Sequence, residues 1–495
     1  MKQMSVFFLY NYTILAYDII TMKKLIFSML LATASTTVAM AQQDGTLRLT
    51  LDDAINIALS ENPTIKVADQ EITKQEYAKK GTLANLLPSV DFSAAFNRAI
   101  KQQVVYMGGD MGGLGSLGSN SSTDGEGSDN KAEASSEAAN KGFKMGRTNT
   151  WSLGFSGSMP LINAQLWKQL KLSADEVEMA VEKARSSRLS MVSQVRQSFY
   201  GVLLAEASHQ AIKENYDNAQ QKYTDIKQKY EHGLSSEYDL IRAEVAVKNV
   251  EPNLLDAENS ITLAKWRLKA LIGIDLDTDI TLADSLENYT DTLYAEYMKV
   301  DTTMVAGSSA MRQLDIQGRE LLKARDIAKA AYYPTLNLSL SYQWNAMAND
   351  FKFKNYMWNP YSVLAVQLNI PLLSFGRRHY SLQQTKVQIS QLQLTRIDTE
   401  RSLMLGVRQY SDKMLTGIKQ YISANEGVSL ARKGYDIATK RYDTGAGTLL
   451  EVNDSQLALT QAQLSRSQAI YNFLVAKAQL DETMGIDYTP TSENK

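Results

Sequence analysis

The sequence predicts a mainly α fold with a small membrane β-barrel, built from two structural repeats. Each repeat is expected to contain a helix pair, two β-strands and a long α-helical hairpin. Three observations predict this fold: four motifs that recur in the same order 211 to 246 residues apart, two runs of about 70 residues without proline, and four segments of alternating polarity. Self-similarity at a fixed spacing indicates an architecture made of duplicated units.

Composition excludes several classes of function. The 495 residues carry 52 basic and 54 acidic side chains, so no basic excess suggests a nucleic-acid partner. There is no cysteine and there are three histidines, which excludes disulfides, thiol catalysis and a Cys/His zinc site. No nucleophile, base or metal cluster occurs with usable spacing. We therefore expect no enzyme, no metal and no cofactor.

Residues 1–41 are predicted to be an upstream segment followed by a signal peptide, with the signal proper at 22–41. Met22–Lys24 is positively charged, Leu25–Val38 is a short apolar run, and Ala39–Ala41 has the small-x-small pattern of a cleavage site. Residues 1–21 are interpreted as the product of a start codon assigned too far upstream, and the alternative is that they are a genuine N-terminal extension. No later apolar run reaches 18 residues, so a membrane crossing would have to use strands.

Four pairs of matching motifs, in the same order, define the two copies. Repeat 1 covers 42–274 and repeat 2 covers 301–488, with an inter-repeat segment at 275–300 and a C-terminal tail at 489–495. The prolines and glycines at the centre of the matching motifs are Pro88 and Pro334, Pro160 and Pro371, Gly233 and Gly445, Gly273 and Gly485.

The spacing between the two proline motifs is about 35 residues longer in repeat 1 than in repeat 2. The extra residues include 107–142, a segment rich in Gly, Ser and acidic residues that almost lacks large apolar side chains. Such a segment cannot offset its ordering entropy by burial. We predict that it is a disordered extracellular loop.

Each copy follows one plan. In repeat 1, Thr50 is positioned to cap a helix with Asp53 three residues on, and Pro63 begins the next helix. Alternation of apolar and polar residues then predicts strands. After each strand pair, a run of about 70 residues without proline predicts a helix about 100 Å long, and a glycine at its end predicts the turn into a returning helix, so that the two helices form a hairpin. The predicted strands are 88–105, 149–161, 334–346 and 360–371, and the predicted hairpins are 163–273 and 374–485.

Strands of about ten residues fit a tilted membrane crossing. Four strands cannot close a barrel, and open edges are not tolerated in lipid, so several copies must share one wall. A small soluble sandwich is the alternative, but no further strands supply a second sheet, and the polar faces are rich in Ser, Asn and Gln. Three copies would give twelve strands, enough for a water-filled bore.

Leu49–Pro63, with the sequence LTLDDAINIALSENP, resembles the opening signature of the TolC family of outer-membrane efflux proteins. The resemblance in plan continues to Asp487. It implies a homotrimer with a 12-stranded β-barrel in outer-membrane lipid and a 12-helix α-barrel in the periplasm, with 275–300 forming an equatorial belt. It also implies a channel that passes substrates from an inner-membrane pump and a periplasmic adaptor to the cell exterior, in drug efflux or type I secretion.

In that family the two helical turns form a periplasmic gate, and each turn has a glycine followed six residues later by an acidic residue. Here Gly233 leads to Asp239, and Gly445 leads to Glu451 with Asp454 three residues beyond. By the resemblance, Tyr442 helps to hold neighbouring hairpins together with Asp239 as its partner. The family often has a basic residue where this chain has Gly447, and Arg441 is the candidate substitute. The alternative for Asp239 and Glu451 is that an acidic residue simply favours a helix N-terminus.

Two other functions fit parts of the pattern. A periplasmic coiled-coil adaptor or scaffold without a conduit would need one hairpin inside a β-rich domain, whereas this chain predicts two hairpins and no such domain. A surface adhesin would carry its strands at one terminus, whereas these strands are interleaved with the helices. The channel is therefore the favoured interpretation.

Overall fold

The computed structural model describes residues 46–105, 143–298 and 305–489. The predicted signal and the predicted disordered loop lie outside these residues, as does the tail apart from Thr489. Within the described ranges, no helix is long and apolar enough to cross a membrane. The chain forms two compact units, one from the described parts of 46–72, 180–315 and 394–489, and the other from those of 73–179 and 316–393.

The elements follow the order expected from the two copies. Those of the first half are β1 (Thr46–Leu49), α1 (Leu51–Glu61), α2 (Pro63–Ala84), β2 (Ser89–Arg98), β3 (Gln103–Val105), β4 (Phe143–Met145), β5 (Asn149–Ile162), α3 (Ala164–Glu231) and α4 (Glu237–Ile272). Those of the second half are β6 (Asp279–Leu282), α5 (Leu293–Met298), α6 (Ser309–Ala330), β7 (Thr335–Ala348), β8 (Asn359–Asn369), α7 (Arg377–Asp443) and α8 (Leu449–Met484), with 3-10 helices at Leu286–Thr292 and Phe353–Asn355.

One unit is built on a four-stranded antiparallel sheet with the order β2-β5-β7-β8. In register, Phe92 lies opposite Phe155, which lies opposite Tyr342. Because side chains alternate along a strand, this row and its neighbours two residues away share one face of the sheet. That face is apolar and aromatic: Val90, Phe92, Ala94, Phe96, Trp151, Leu153, Phe155, Leu340, Tyr342, Trp344 and Leu364.

The opposite face of the same sheet is polar on β2, β5 and β7, whereas β8 contributes Val363 and Ala365 to it. The row of Asp91, Ser156 and Ser341 is followed by the row of Ser93, Gly154 and Gln343. Tyr361 on β8 donates its hydroxyl hydrogen to Gln343 Oε1 at 2.6 Å. A sheet with one apolar and one polar face separates two environments, as the alternation in the sequence predicts.

Proline positions agree with the sheet topology. The pairing of β2 with β5 starts at Ser89 and Ser158, so Pro160 lies beyond the end of β2 and has a partner strand on one side only. The register of β5 and β7 shifts between Pro160 and Ile162. Pro360 lies on β8, at the edge of the sheet. Proline lacks a backbone N–H and is tolerated at such places.

Ion pairs join α6 to the first turns of α3 in the same unit. Lys323 Nζ lies 2.6 Å from Asp175 Oδ2, and the Asp175 side chain is only 8% exposed. Arg319 pairs with Glu178 at 2.5 Å. A buried carboxylate needs a partner of opposite charge, so Lys323 fixes where α6 can lie on α3.

The other unit contains the largest cluster of buried apolar side chains, in which Phe199, Leu203, Leu268 and Phe473 are almost fully buried. The helix α1 enters this cluster through Ala54, Ile55 and Ala58. Its start is fixed by the predicted capping box: Asp53 N donates to Thr50 Oγ1 at 3.1 Å, and Thr50 N donates to Asp53 Oδ2 at 3.2 Å.

The segment after α8 is held in this unit by Arg185. Its Nε and Nη2 donate to the Asp487 carboxylate at 2.9 and 3.1 Å, Nη2 donates to Gly485 O at 2.6 Å, and Nη1 donates to Glu182 Oε1 at 3.0 Å. Tyr488 donates its hydroxyl hydrogen to Asp52 Oδ1 at 2.8 Å. The C-terminal residues are thereby tied to α3 and to the start of α1.

Two features differ from the sequence-based boundaries. The strand expected over 88–105 is interrupted: β2 ends at Arg98, and 103–105 belong to the separate hairpin of β3 and β4. The alternation that supports a strand stops after Phe96, and Ile100 is fully exposed. A parallel pair of β1 and β6 was not expected from the sequence. Each of these strands has only four residues, too few for a clear periodic signal.

Candidate functional site

The first candidate turn joins α3 to α4. Gly233 has φ of 72°, a left-handed conformation that glycine adopts without steric cost. Its N–H donates to Tyr230 O at 2.8 Å, and Leu234 N donates to Lys229 O at 2.7 Å, which closes the end of α3. Ser236 then caps α4 by accepting from Asp239 N. The hydroxyl of Ser236 also donates to Asp239 Oδ2 at 2.7 Å, so Asp239 supports the start of its own helix.

The second candidate turn, between α7 and α8, has the same construction. Gly445 has φ of 76°, and Ala446 N donates to Arg441 O at 2.8 Å. Thr448 caps α8 by accepting from Glu451 N at 3.3 Å. Gly233 and Gly445 thus begin equivalent turns, and Asp239 and Glu451 both lie in the first turn of the helix that follows.

A small apolar cluster brings the two turns together in one protomer. Ile226 of α3, Ala243 of α4 and Leu449 of α8 are buried there, with Tyr223, Leu240 and Tyr442 packed against them. This cluster is separate from the main core. Because few apolar side chains hold the tip, its opening should be energetically easier than opening of the main core.

Tyr442 lies at the centre of the charges around this cluster. Lys222 Nζ and Lys229 Nζ lie 5.8 and 5.7 Å from the centre of its ring, within range of cation-π attraction. Burial raises the pKa of the Tyr442 hydroxyl, and the negative charges of Asp239, Asp443 and Asp225 raise that pKa further. The charge of Asp239 thus acts on the Tyr442 hydroxyl within one protomer, and the pairing of these residues that would hold neighbouring hairpins together stays a prediction.

Arg441 occupies the space near Gly447. A Cβ atom on Gly447 would lie 3.0 Å from Arg441 Cβ and 3.1 Å from Tyr442 N, closer than side chains normally pack. The guanidinium of Arg441 donates to Ala446 O at 3.0 Å and lies 3.5 Å from Glu451 Oε2. Glycine at 447 thus lets the turn fold closely over Arg441, and the basic group at this turn comes from Arg441.

The acidic pair of α8 is exposed. Glu451 and Asp454 are one helical turn apart, which places them on the same side of α8. Glu451 has Arg441 as a neighbour, and Asp454 lines a cavity of about 360 Å³ to which Lys222 and Arg242 also contribute. Glu451 therefore has a cation within ion-pair distance, whereas Asp454 forms no ion pair among the described residues.

Sequence reasoning missed the cross-links between α3 and the second hairpin. Lys222 Nζ lies 3.2 Å from Asp443 Oδ1, and the Lys222 side chain is 18% exposed. One turn of helix further from the tip, Asn218 Nδ2 donates to Gln456 Oε1 at 3.2 Å. These partners are more than 200 positions apart, and no repeat or spacing in the sequence connects them.

Within the described residues, no group of three or more His, Asp or Glu side chains is arranged to hold a metal ion. The polar side chains at the two turns form hydrogen bonds and ion pairs with one another, and they also bind backbone groups at the helix ends. Their arrangement suits a structural closure made of several weak charged contacts.

Comparisons with known proteins match this architecture. The model of the outer membrane efflux protein family matches residues 54–274 and 304–486. The outer membrane protein TolC of Vibrio cholerae serotype O1 is 21% identical over 345 residues, which cover 68% of this chain and 76% of that protein. The pyoverdine export outer membrane protein OpmQ of Pseudomonas putida is 22% identical over 453 residues, covering 88% and 85%. A crystal structure of CusC has a TM-score of 0.66 at 17% identity, covering 90% of this chain and 95% of that chain.

Proposed function

Because this chain belongs to the outer membrane efflux protein family, and is thus an outer-membrane conduit for efflux, we propose that it works as a homotrimer with a gated periplasmic tip. In this proposal it receives substrates from an inner-membrane pump through a periplasmic adaptor. The family is one of transport proteins and not of enzymes. The alternative of an adaptor without a conduit is not favoured, since the relatives are themselves outer-membrane proteins.

The four-stranded sheet carries the trimer proposal. Its apolar face suits lipid and its polar face suits water, but β2 and β8 each leave one edge without a partner strand among the described residues. Unpaired backbone groups are costly in a bilayer, so these edges need partners from other copies. Three copies supply twelve strands, and a sheet of that size closes around an aqueous bore.

The helical hairpins support a duct on the periplasmic side. The helices α3 and α7 contain 68 and 67 residues, and their return helices α4 and α8 contain 36 residues each. At 1.5 Å per residue, α3 and α7 are each about 100 Å long. The four hairpin helices of each chain, α3, α4, α7 and α8, would give a tube of twelve helices in the trimer. The proposal divides the chain into repeats 42–274 and 301–488, with 275–300 as the belt between them.

The proposed gate is the pair of turns at Gly233 and Gly445. Asp239, Tyr442, Glu451 and Asp454 surround the tip, and the small cluster around Ile226 is the apolar support that must loosen when the tip opens. Docking of adaptor and pump would supply the free energy for this opening by binding the open tip more tightly than the closed one. The names of relatives such as the cation efflux system protein CusC fit a component of a larger efflux system.

Disulfide cross-linking tests the trimer. Because the sequence has no native cysteine, only the introduced cysteines can form disulfides. Cysteines would be placed singly along β2 at Ser89, Asp91 and Ser93, and combined with cysteines along β8 at Val363 and Ala365. After oxidation in outer membranes, at least one combination should give covalent trimers on denaturing gels.

The matched control is Ser156→Cys with Ser341→Cys, two residues that lie directly opposite each other within one sheet. This pair should cross-link inside the protomer and leave the monomer mass unchanged. If the control forms its bond while every β2 and β8 combination remains monomeric, the shared barrel is wrong.

A further inference from the structure

The end of the sheet furthest from the long helices is rich in positive charge. The exposed basic residues there are Arg98, Lys101, Arg147, Lys352 and Lys354. Among the described residues 98–105, 143–149 and 346–358, Asp350 is the only acidic residue. Its carboxylate accepts from Lys352 N at 3.3 Å, so it supports the backbone of the loop between β7 and β8.

That loop folds back onto the apolar face of the sheet. The ring of Phe351 lies 6.1 Å from that of Phe96, and the ring of Phe353 lies 5.1 Å from that of Trp151. Tyr356 contacts Phe353 at 5.1 Å between ring centres. Its hydroxyl also donates to Asp350 O at 2.5 Å. These contacts fix the loop at the edge of the apolar face, although Phe351 and Phe353 remain 49% and 54% exposed.

Cationic groups are interleaved with these aromatic rings. Phe351, Lys352, Phe353 and Lys354 alternate along the chain, and both lysines are exposed. Arg98 follows Phe96 by two residues and so shares the apolar face with it. Its guanidinium carbon lies 5.5 Å from the centre of the Phe351 ring. The surface therefore offers apolar contact and positive charge side by side.

The position of this surface in the membrane follows from chain connectivity. The helices α2, α3, α6 and α7 all join the sheet at the opposite end, where β2 and β7 begin and β5 and β8 end. In an outer-membrane efflux protein the long helices are periplasmic, so the cationic end faces the outer leaflet and the exterior. Aromatic residues bordered by basic residues are typical of the boundary between hydrocarbon and headgroups.

We propose that Arg98, Lys352 and Lys354, together with Phe351 and Phe353, form a binding site for a phosphorylated lipid of the outer leaflet. The phosphates bind the three cations at the headgroup level, and the proximal acyl chains lie along the aromatic rings. The site is built from β2, β5 and the loop between β7 and β8 of one protomer, and it requires the outer-membrane location but no gate.

A lipid suits this surface better than the acidic segment 106–142 of the same chain. That segment carries six acidic and two basic residues but few large apolar side chains. It could neutralise the lysines, yet it would leave the half-exposed Phe351 and Phe353 in water. A molecule with both phosphate groups and acyl chains can bind the cationic side chains and also cover the aromatic rings, and we therefore favour a phosphorylated lipid.

Lipid binding can be measured by native mass spectrometry of the full-length protein in detergent, titrated with diphosphoryl lipid A. The test variant is R98Q/K352Q/K354Q. The matched control is K79Q/K386Q/K419Q, which removes three exposed charges from the helices instead. We expect the test variant to bind lipid A at least tenfold more weakly than the wild type, because phosphate binding depends mainly on the cations, while the control binds normally.

Two further arms separate the possible occupants. Lipid A from which both phosphates have been removed should bind the wild type as weakly as diphosphoryl lipid A binds the test variant. A variant lacking 108–141 should bind diphosphoryl lipid A as the wild type does. Equal binding by the test and control variants, or no dependence on phosphate, would overturn the proposal. A clear gain of lipid on deletion of 108–141 would instead identify the acidic segment as the native occupant. Retention of the native oligomer mass in each sample confirms that the variants are folded.

Discussion

Arg441 supplies the basic group of the second turn, and Gly447 leaves the space for it. Arg441 spans the turn by donating to Ala446 O and by lying near Glu451, and Gly447 leaves the space that this path needs. A side chain at 447 would displace the backbone of Arg441 or Tyr442. The basic group and the missing side chain are therefore one arrangement and not two independent features.

Gly447→Ala should disturb this turn. The added Cβ meets Arg441 Cβ at 3.0 Å and Tyr442 N at 3.1 Å, and overpacking of this kind costs about 1 to 3 kcal/mol. We expect faster amide exchange over 440–450 and a higher single-channel conductance in planar bilayers. Gly434→Ala is the control, because a Cβ there meets nothing within 4 Å and alanine favours the helix. Identical behaviour of the two variants would contradict the tight approach at 447.

Tyr442 should resist opening of the tip through its ring. Tyr442→Ala removes a half-buried ring from the cluster around Ile226 and leaves Lys222 and Lys229 without their aromatic neighbour. We expect a higher single-channel conductance. Tyr442→Phe keeps the ring and should stay close to the wild type, since no hydrogen bond of the hydroxyl joins the two hairpins in the protomer. A large effect of Tyr442→Phe would instead point to a hydroxyl contact with a neighbouring copy.

Asp239 has two roles that substitutions can separate. Its carboxylate accepts from the Ser236 hydroxyl and also places negative charge near Tyr442. Asp239→Asn keeps a hydrogen-bond acceptor at the cap but removes the charge, whereas Asp239→Ala removes both. We expect Asp239→Ala to raise conductance. If Asp239→Asn raises it equally, the charge holds the gate; if conductance rises only with alanine, helix capping explains the effect. No change in either variant would remove Asp239 from the gate.

For individual residues, the sequence predicted where the turn residues lie better than it predicted which side chains pair with each other. The two turn glycines and the acidic residues six positions later follow from the repeat and from the family resemblance. The pairing of Lys222 with Asp443 does not, because the position matching Lys222 in the second copy is Gly434. Contacts between helices far apart in sequence depend on helix rotation, which the pattern of residues leaves undetermined.

Among the structural elements, the C-terminal segment depends on one side chain. Arg185 is 16% exposed and makes hydrogen bonds to Asp487, Gly485 and Glu182. Arg185→Ala should cost roughly 2 kcal/mol, because Glu182 then keeps a largely buried charge for which Ser309 is the one remaining side-chain donor among the described residues. The expected results are a lower apparent Tm and faster proteolysis after residue 484.

Arg432→Ala is the matched control for this prediction. Arg432 is 53% exposed and lies 3.6 Å from Glu214, and exposed ion pairs of this kind contribute about 0 to 1 kcal/mol. Its apparent Tm should change little. If Arg185→Ala is as stable and as protease-resistant as Arg432→Ala, the C-terminal segment is held by other contacts.

Removal of 108–141 should leave the sheet intact. The strands β2 and β5 pair through residues 89–98 and 149–158, and none of these pairs involves the deleted segment. Assembly and transport should therefore match those of the wild type, measured by oligomer yield in outer membranes and by survival in the presence of an exported compound. Loss of oligomers would show that the segment is structural.

Elements with a long periodic pattern were predictable, and short ones were not. Strands β5 and β7 have 14 residues each and alternate clearly, whereas β1 and β6 have four residues and pair in parallel across more than 200 positions. The early end of β2 at Arg98 has a similar cause: residues 99–102, in which apolar and polar side chains do not alternate, separate β2 from β3, and β3 is extended because it pairs with β4.

For the whole molecule, the sequence predicts the need for a shared wall, because four strands cannot enclose a bore. The number of copies comes from the family resemblance and stands as a proposal. The two-faced sheet adds a physical constraint: closure must place the row of Asp91, Ser156 and Ser341 inward and the aromatic row outward. Any assembly that exposes the polar row to lipid would leave those groups without water.

The trimer also predicts ion selectivity at the tip. Three copies would place six carboxylates from Glu451 and Asp454 around one axis, and such rings attract cations. Both side chains are exposed, but Arg441 lies 3.5 Å from Glu451 Oε2 and partly offsets the charge of Glu451, whereas Asp454 forms no ion pair among the described residues. In a salt gradient the wild type should prefer cations, and Asp454→Asn should move the reversal potential towards zero more than Glu451→Gln does. The double variant should show the largest shift. Asp398→Asn with Glu400→Gln removes two charges from α7, about 50 residues earlier in the chain, and should shift the reversal potential little. A reversal potential that is unchanged in the double variant, or equally shifted in the control, would show that the acidic pair does not face the conducting path.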